Sequence, residues 1–323
     1  MIKELAPQLY QIEVPLPKNP LKATNSYVIK TAQRNLVIDT GMFREECKRV
    51  MDKALESLEI DREMTDFFIT HLHADHLGLA GYLSSGNSRV YFHRRDATIL
   101  EVPNFWETIS RRARQLGFPG PELDQAIRTH PGKKFSPAEA IPFDLITDGQ
   151  VLTFGDYHLE CLHTPGHTPG HTCLYERRKK VLFSGDHILG DITPNISTWF
   201  VEENPLAQYL ESLDRVFYME VDRVYPGHRS VLKNCRGRIQ ELLQHHRQRA
   251  EEILYILEKE KKTAYQVAAE MSWDIVSENW EMFPLNQKWF AMGEAIAHLR
   301  YLEVQGLLEN RLLQDDTLYW QRR

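Results

Sequence analysis

Hydrophobic positions in the first 90 residues alternate between short β-branched runs and one helical stripe. Residues 27–29 and 36–38 are apolar runs separated by a polar turn, which predicts a β-hairpin. Between residues 45 and 58 the apolar residues recur at helical spacing, which predicts a helix with one buried face. The apolar run 66–70 predicts a buried strand that leads directly into a histidine cluster. This alternation indicates an α/β domain.

The pattern changes between residues 94 and 143, where prolines recur and aromatic residues lie near arginines. This segment predicts a partly helical insertion with loops. One interpretation is a cap over a functional site, because long insertions in compact domains often act as lids. The alternative is that the aromatic residues only pack the insertion onto the domain.

Strands are predicted again at 157–162, 172–175 and 181–183, and the chain becomes helical after Cys235. Helices are predicted at about 238–260, after a capping box at Thr263, and at 287–305, followed by a hairpin at 307–320. Three helices and a hairpin are the order of a winged-helix module. We therefore predict a catalytic domain over residues 1–236 and a winged-helix-like helical domain over 237–323. His245 and His246 lie in mid-helix, where we expect solvent.

Composition narrows the functional class. The chain has 323 residues, of which 42% are hydrophobic and 26% charged, as in a soluble globular protein. The net charge of -6 argues against a strongly electrostatic partner such as nucleic acid or an anionic membrane. The four cysteines form no CxxC pair, and neither a signal core nor an apolar run of membrane-spanning length is present. We therefore expect a cytoplasmic protein with reduced cysteines.

The candidate chemistry begins with the sequence HLHADH at residues 71–76. His71 and His73 are two residues apart, so they project to the same side of an extended segment. Asp75 and His76 follow where a helix is expected to turn back towards the same region. Four ligand-type side chains within six residues at a strand end favour a metal site over a satisfied core histidine.

Further ligand-type residues follow other predicted strands, each with a glycine nearby that lets the backbone approach closely. Imidazole and carboxylate ligands without thiolates suit zinc, manganese or iron. The residues after these strands are His163, His167, His171, Asp186 and His228.

Together these motifs resemble the metallo-beta-lactamase superfamily over residues 8–230. The matching segments are HLHADH at 71–76, TPGHTPGH at 164–171, SGD at 184–186 and PGH at 226–228, with Asp39 in VIDTG as a further landmark. The resemblance implies a four-layer αββα sandwich with a two-metal site at one edge. It also implies that one metal is bound by His71, His73 and His167, the other by Asp75, His76 and His228, and that Asp186 bridges them.

The roles of three further positions have to be chosen between alternatives. The motif Thr-Pro-Gly-His-Thr occurs twice, and we prefer His167 to His171 as the ligand because the family pattern continues downstream with Thr-x-Gly. Asp39 is expected to orient a ligand imidazole, with a simple turn residue as the alternative. His187 is expected to face either the substrate or the surface.

The resemblance implies a hydrolase that uses a metal-bound hydroxide, with Asp75 orienting it and two divalent ions, zinc first and iron or manganese as alternatives. The motifs are similar to those of glyoxalase II, which indicates a thioester, ester or lactone substrate. The C-terminal region instead resembles the tail of a metallo-beta-lactamase-like endoribonuclease, so a ribonuclease or phosphodiesterase is the alternative. A winged-helix metal-sensing regulator is a third hypothesis.

The expected partner is a small acyl substrate with an anionic group, and neither a membrane nor nucleic acid is favoured. We expect the insertion to cap the site and its aromatic residues and arginines to bind the acyl or anionic end of that substrate. The residues concerned are Phe105, Trp106, Phe118, Arg111, Arg112 and Arg114.

Overall fold

The chain was analysed as a computed structural model that describes residues 1–17, 19–137, 139–200, 202–274 and 277–323. Seven strands form one mixed sheet in sequential order, antiparallel from β1 to β4 and parallel from β4 to β7. These strands are β1 (Ile2–Ala6), β2 (Leu9–Pro15), β3 (Ala23–Ile29), β4 (Asn35–Ile38), β5 (Thr65–Phe68), β6 (Val90–His93) and β7 (Asp144–Ile146).

A second sheet has the strand order β12-β11-β10-β9-β8, with β11 and β12 parallel and the other pairs antiparallel. Its strands are β8 (Val151–Phe154), β9 (Tyr157–His163), β10 (Thr172–Glu176), β11 (Val181–Gly185) and β12 (Arg223–Pro226). The predicted hairpin at 27–38 is present, and Tyr27 pairs with Ile38 across β3 and β4.

Helices cover both outer faces of the two sheets. They are α1 (Glu45–Ser57), α2 (Ala74–Leu77), α3 (Ala80–Leu83), α4 (Arg94–Leu100), α5 (Phe105–Gln115), α6 (Gly120–Thr129), α7 (Pro131–Lys134), α8 (Pro205–Phe217), α9 (Cys235–Ile256), α10 (Ala264–Glu270) and α11 (Leu285–Val304). A 3-10 turn lies at Arg62–Met64, and the hairpin β13 (Leu308–Leu312) and β14 (Leu318–Arg322) ends the chain.

Three apolar clusters define four layers. Ile38 and Phe183 lie in the cluster between the sheets. Met51 of α1 packs against the outer face of the first sheet, and Leu213 of α8 against that of the second. The αββα sandwich predicted from the sequence is therefore confirmed.

A fourth apolar cluster joins the insertion to the C-terminal helices. It contains Phe118 from the insertion, Ile253 of α9 and Met292 of α11, each at most 3% exposed. The three helices and hairpin occur in the predicted order, while the winged-helix interpretation and the boundary near residue 236 stay predictions. In the part of the chain that the structure describes, every helix is too short or too polar to cross a bilayer.

The prediction that both mid-helix histidines face solvent was wrong for His246. Its side chain is buried, and its Nδ1 lies 3.1 Å from Nε2 of His298 on α11. His245, one residue earlier, is 35% exposed. The sequence of α9 alone could not show that α11 would pack over this turn of the helix.

Candidate metal centre

The ends of strands from both sheets bring the predicted ligands together at one edge of the sandwich. The potential ligand atoms fall into three overlapping groups, and within each group they lie within 4.8 Å of one another. The groups are His71, His73 and His167; His71, His76 and Asp186; and Asp75, His76 and His228.

The first group is a tight triangle of imidazole nitrogens. Nδ1 of His73 lies 3.0 Å from Nε2 of His71 and 3.0 Å from Nε2 of His167. The two Nε2 atoms are themselves 3.3 Å apart. Converging lone pairs at this spacing suit a shared cation.

The group of Asp75, His76 and His228 converges in the same way, here around the carboxylates of Asp75 and Asp186. Nε2 of His228 lies 3.4 Å from Asp75 and 3.4 Å from Asp186. Asp186 also lies 3.6 Å from Nε2 of His76 and 3.6 Å from Nε2 of His167, so it faces both groups, where a bridging ligand would be. Within the described residues, Nε2 of His76, Nε2 of His228 and Oδ1 of Asp186 are buried without a hydrogen-bond partner. A bound cation would satisfy all three, so the residues present fit a metal centre.

Hydrogen bonds to oxygen fix which imidazole nitrogen faces the centre. Nδ1 of His76 donates to Asp39 at 2.8 Å, Nδ1 of His167 to the carbonyl of Asn195 at 2.8 Å, and Nδ1 of His228 to the carbonyl of Ala23 at 2.8 Å. Each bond leaves the Nε2 lone pair free for a metal.

Asp39 orients more than one imidazole. Its carboxylate accepts hydrogen bonds from His76 and, at 2.9 Å, from the hydroxyl of Thr70. Because that hydroxyl proton is used, Nδ1 of His71 donates to Thr70 at 2.9 Å. The structure thus places Asp39 in the expected contact, whereas sequence reasoning did not identify Thr70.

Sequence reasoning also missed Asp96, the buried carboxyl group that connects two of the histidine loops. It accepts hydrogen bonds from the backbone of Leu72 at 2.9 Å, the backbone of Gly170 at 2.6 Å and the hydroxyl of Thr168 at 2.7 Å. Burial raises its pKa to about 7, although all three donors oppose that shift. The available sequence signal was a single aspartate at the start of an apolar helix.

Gly227 allows the two halves of the centre to approach each other. A Cβ atom at this position would overlap Oδ1 of Asp186 and lie 2.8 Å from Cε1 of His76. Real Cβ atoms do not occur at these distances, so the residue before His228 has to be glycine for the ligands to converge.

Electrostatics divide the centre into a neutral and a charged half. Burial, followed by the charge of His167, lowers the pKa of His73 to about 3. Burial also lowers the pKa of His76, but the carboxylates of Asp39, Asp186 and Asp75 outweigh it and raise that pKa to about 9. Burial raises the pKa of Asp186, yet its histidine neighbours hold the net value well below the usual range. The carboxylate half therefore attracts positive charge.

His163, His171 and His187, which neighbour the predicted ligands in sequence, lie outside the three ligand groups of the described structure. Nε2 of His171 accepts a hydrogen bond from the backbone N–H of Asp186 at 3.1 Å, and its Nδ1 lies 2.9 Å from the hydroxyl of Thr164. His163 stacks on His93 with ring centroids 4.1 Å apart. His187 is fully buried beside Tyr209, so it faces neither the substrate side nor the surface, and both alternatives for it were wrong.

A cleft of about 2390 Å³ opens above the centre. His73, Asp75 and Asp186 lie on its floor. Its wall is shared between the insertion, the segment after β11 and the C-terminal helices, and it includes several large aromatic side chains. The aromatic wall residues include Phe105, Trp106, Phe135, Trp199, Trp289 and Phe290.

The three arginines of the insertion are not where the sequence hypothesis put them. Arg111, Arg112 and Arg114 are absent from the cleft wall in the described part of the chain. Arg112 pairs with Glu202 at 3.2 Å and Arg114 with Asp124 at 3.0 Å, both on the outside of α5. The expected anion-binding role was therefore wrong for these side chains, although the insertion does line the cleft.

The chain belongs to the metallo-beta-lactamase superfamily, whose family model matches residues 19–228. A second family model, described as the C-terminal domain of metallo-beta-lactamase-like proteins, matches residues 250–323. The fold of the whole chain is similar to that of a metallo-beta-lactamase family protein from Thermus thermophilus. The identity is 28%, the TM-score is 0.83, and 99% of this chain and 100% of that chain are covered.

Two curated relatives extend the comparison. A beta-lactamase-like protein 2 homolog from Drosophila melanogaster is 26% identical over 93% of this chain and 88% of its own length. An atrochrysone carboxyl ACP thioesterase from Emericella nidulans is 26% identical over 81% of this chain and 68% of its own length. Across the first three curated relatives, this chain spans between 62% and 88% of their lengths.

Proposed function

We propose that this member of the metallo-beta-lactamase superfamily is a dinuclear metal-dependent hydrolase that cleaves a thioester, ester or lactone with a bulky apolar acyl group. The proposal rests on the convergence of seven imidazole and carboxylate side chains below a cleft whose wall includes several aromatic side chains. Within the described residues, three of the seven have a buried atom without a hydrogen-bond partner. We assign His71, His73 and His167 to one ion, Asp75, His76 and His228 to the other, and Asp186 to both.

Bound divalent ions would supply a Lewis acid and a water acidic enough to attack at neutral pH, so no serine or cysteine nucleophile is required. Asp75 is 14% exposed at the cleft floor and would orient the attacking water. The aromatic wall would hold the acyl group and exclude bulk water from the carbonyl. The relative that is named as a thioesterase supports a thioester as the bond that is hydrolysed.

The structure weighs against a nucleic-acid substrate. Helix α11, which a winged-helix module would present to nucleic acid, is largely buried. Its Lys288 is 4% exposed and pairs with Glu122 at 3.0 Å, so it adds no free positive charge to a basic stripe. The same burial disfavours the regulator hypothesis.

A substrate panel on metal-analysed protein tests the proposal. We expect chelation to abolish hydrolysis of aryl and long-chain acyl thioesters, zinc to restore it, and Asp75→Asn to remove it while the protein stays folded. Trp106→Ala should raise KM for bulky acyl groups more than for acetyl thioesters. Metal-dependent cleavage of RNA with no thioester, ester or lactone turnover would favour the ribonuclease instead, and salt-dependent DNA binding without turnover would favour the regulator.

A further inference from the structure

The segment that follows β11 carries two parts of the metal centre. It begins with Asp186, and the carbonyl of Asn195 accepts the Nδ1–H of His167 at 2.8 Å. In the described structure, residues 186–199 form no helix or strand, so no backbone ladder holds this carbonyl in place. The position of the segment must therefore be set by its contacts with neighbouring elements.

Helix α11 contacts the segment where Asn195 lies. The side-chain amide of Asn195 donates to the carbonyl of Phe290 at 3.3 Å and to Oε2 of Glu294 at 3.3 Å. The backbone N–H of Thr198 donates to the carbonyl of Gly293 at 3.4 Å. Three hydrogen bonds to one helix thus hold Asn195 and Thr198 in place.

Gly293 shows how closely the helix and the segment approach. A Cβ atom at this position would lie 2.8 Å from Cβ of Ser197, closer than real side chains come. One turn of α11 is therefore shaped to receive this segment. The rings of Trp199 and Trp289, tilted by 32° with centroids 4.1 Å apart, extend the contact.

Glu294 is itself held in one position. It is 8% exposed, and its Oε1 lies 3.5 Å from Nε of Arg249 on α9. The guanidinium of Arg249 lies 4.2 Å over the ring of Trp273, which restricts the arginine as well. A buried carboxylate with a buried cationic partner is a rigid acceptor for the amide of Asn195.

Helix α9 holds the other end of the segment. Arg238 donates from Nε to the carbonyl of Leu189 at 2.7 Å and from its terminal nitrogen to that of Ile192 at 2.9 Å. Its side chain is 14% exposed. Both C-terminal helices therefore contribute charged side chains that bind the backbone or amide groups of this segment.

From these contacts we infer that the C-terminal helices are part of the metal centre, and that Glu294 is a positioning residue that sets the orientation of His167 through Asn195. The inference rests on the metal centre proposed above. It assigns Glu294 no contact with substrate. Loss of the carboxylate removes one of the hydrogen bonds that hold Asn195, and the carbonyl that directs Nε2 of His167 towards the ion is then less firmly fixed.

Metal affinity tests this inference directly. In chelator competition on the full chain, Glu294→Ala and Asn195→Ala should each bind one of the two metal ions with an affinity roughly 10- to 100-fold lower than the parent. The cobalt-substituted variants should show an altered absorption spectrum, which a purely structural role would not change. Glu294→Gln keeps an oxygen acceptor for Asn195 and should bind both equivalents nearly as the parent does.

Glu303→Ala is the matched control, because Glu303 lies on the same helix and pairs with Arg300 at 3.1 Å, away from the segment. It should keep both metal equivalents. If Glu294→Ala or Asn195→Ala folds and binds both equivalents as tightly as Glu303→Ala, the positioning role is wrong although the metal centre stands. If the parent binds no metal, the metal-centre proposal fails with it. If the parent binds two equivalents and hydrolyses no ester or thioester, only the proposed reaction fails.

Discussion

At the scale of single residues, the centre is organised by the nitrogen that each histidine turns away from it. Nδ1 of His167 and Nδ1 of His228 both donate to backbone carbonyls, which fixes their tautomers without any charged partner. His76 donates to the carboxylate of Asp39 instead. The carboxylate half of the centre can therefore tolerate a more basic imidazole than the other half.

Mutation should distinguish the roles of the tandem histidines His167 and His171. His167→Ala removes a nitrogen that faces the ion site and should delete most of the metal from one position. His171→Ala removes an acceptor for the backbone of Asp186 and a contact with Thr164, so it should retain metal and lose roughly 10- to 100-fold in activity. Metal analysis beside steady-state kinetics checks both variants. The opposite ranking would show that His171 is the ligand.

The convergence of the candidate ligands could be predicted from the sequence because they lie in short motifs after apolar strands. Apart from Asp39, the residues that orient those side chains could not be predicted. Asp96, Asn195 and Glu294 are single polar residues on separate elements, and only the packing of α4 and α11 against the histidine loops brings them there. A single amino-acid sequence contains no local pattern that predicts such contacts.

At the scale of elements, strands and helices with clear periodicity were predictable and the orientation of the insertion was not. The sequence predicted only that the insertion is partly helical, and in the structure Arg112 and Arg114 of α5 face outward and pair with acidic residues. Composition alone does not tell which face of a helix a neighbouring element will cover. The face that packs inward contains Ile109 and Ala113, which join the cluster shared with α11.

The insertion should loosen in acid because of His130. This imidazole accepts the backbone N–H of Gly132 at 3.1 Å and lies between Trp106 and Trp289. Burial lowers its pKa from 6.5 to about 4, so folding favours the neutral ring. Its contribution to stability is present above pH 6.5 and is lost as the pH falls towards 4.

Denaturant melts of metal-free protein at about pH 7.5 and about pH 5 measure this effect. The parent should lose more stability between the two pH values than His130→Asn, which can still accept from Gly132 and does not titrate. Metal-free protein is used so that the release of metal in acid does not change the measured stability. Equal losses in parent and variant would show that His130 is not responsible for the acid response.

At the scale of the whole molecule, the C-terminal helices belong to two apolar clusters. Helix α9 contributes Ile239 to the cluster on the outer face of the second sheet and Ile253 to the cluster shared with the insertion. Residues before and after the predicted boundary near 236 therefore bury surface against each other. The domain boundary near residue 236 remains a proposal. The segments on its two sides contribute residues to the same apolar clusters.

Shared cores predict one cooperative unfolding transition for the metal-loaded chain. Ile253→Ala removes a fully buried side chain and should destabilise by about 2–5 kcal/mol. Because the C-terminal helices hold the segment after β11, calorimetry should show the single transition shifting to lower temperature as a whole. Tyr255→Ala, at a position 78% exposed on the same helix, should change stability by no more than about 0.5 kcal/mol. A separate low-temperature transition in Ile253→Ala, with the sandwich melting unchanged above it, would show that the C-terminal region folds independently.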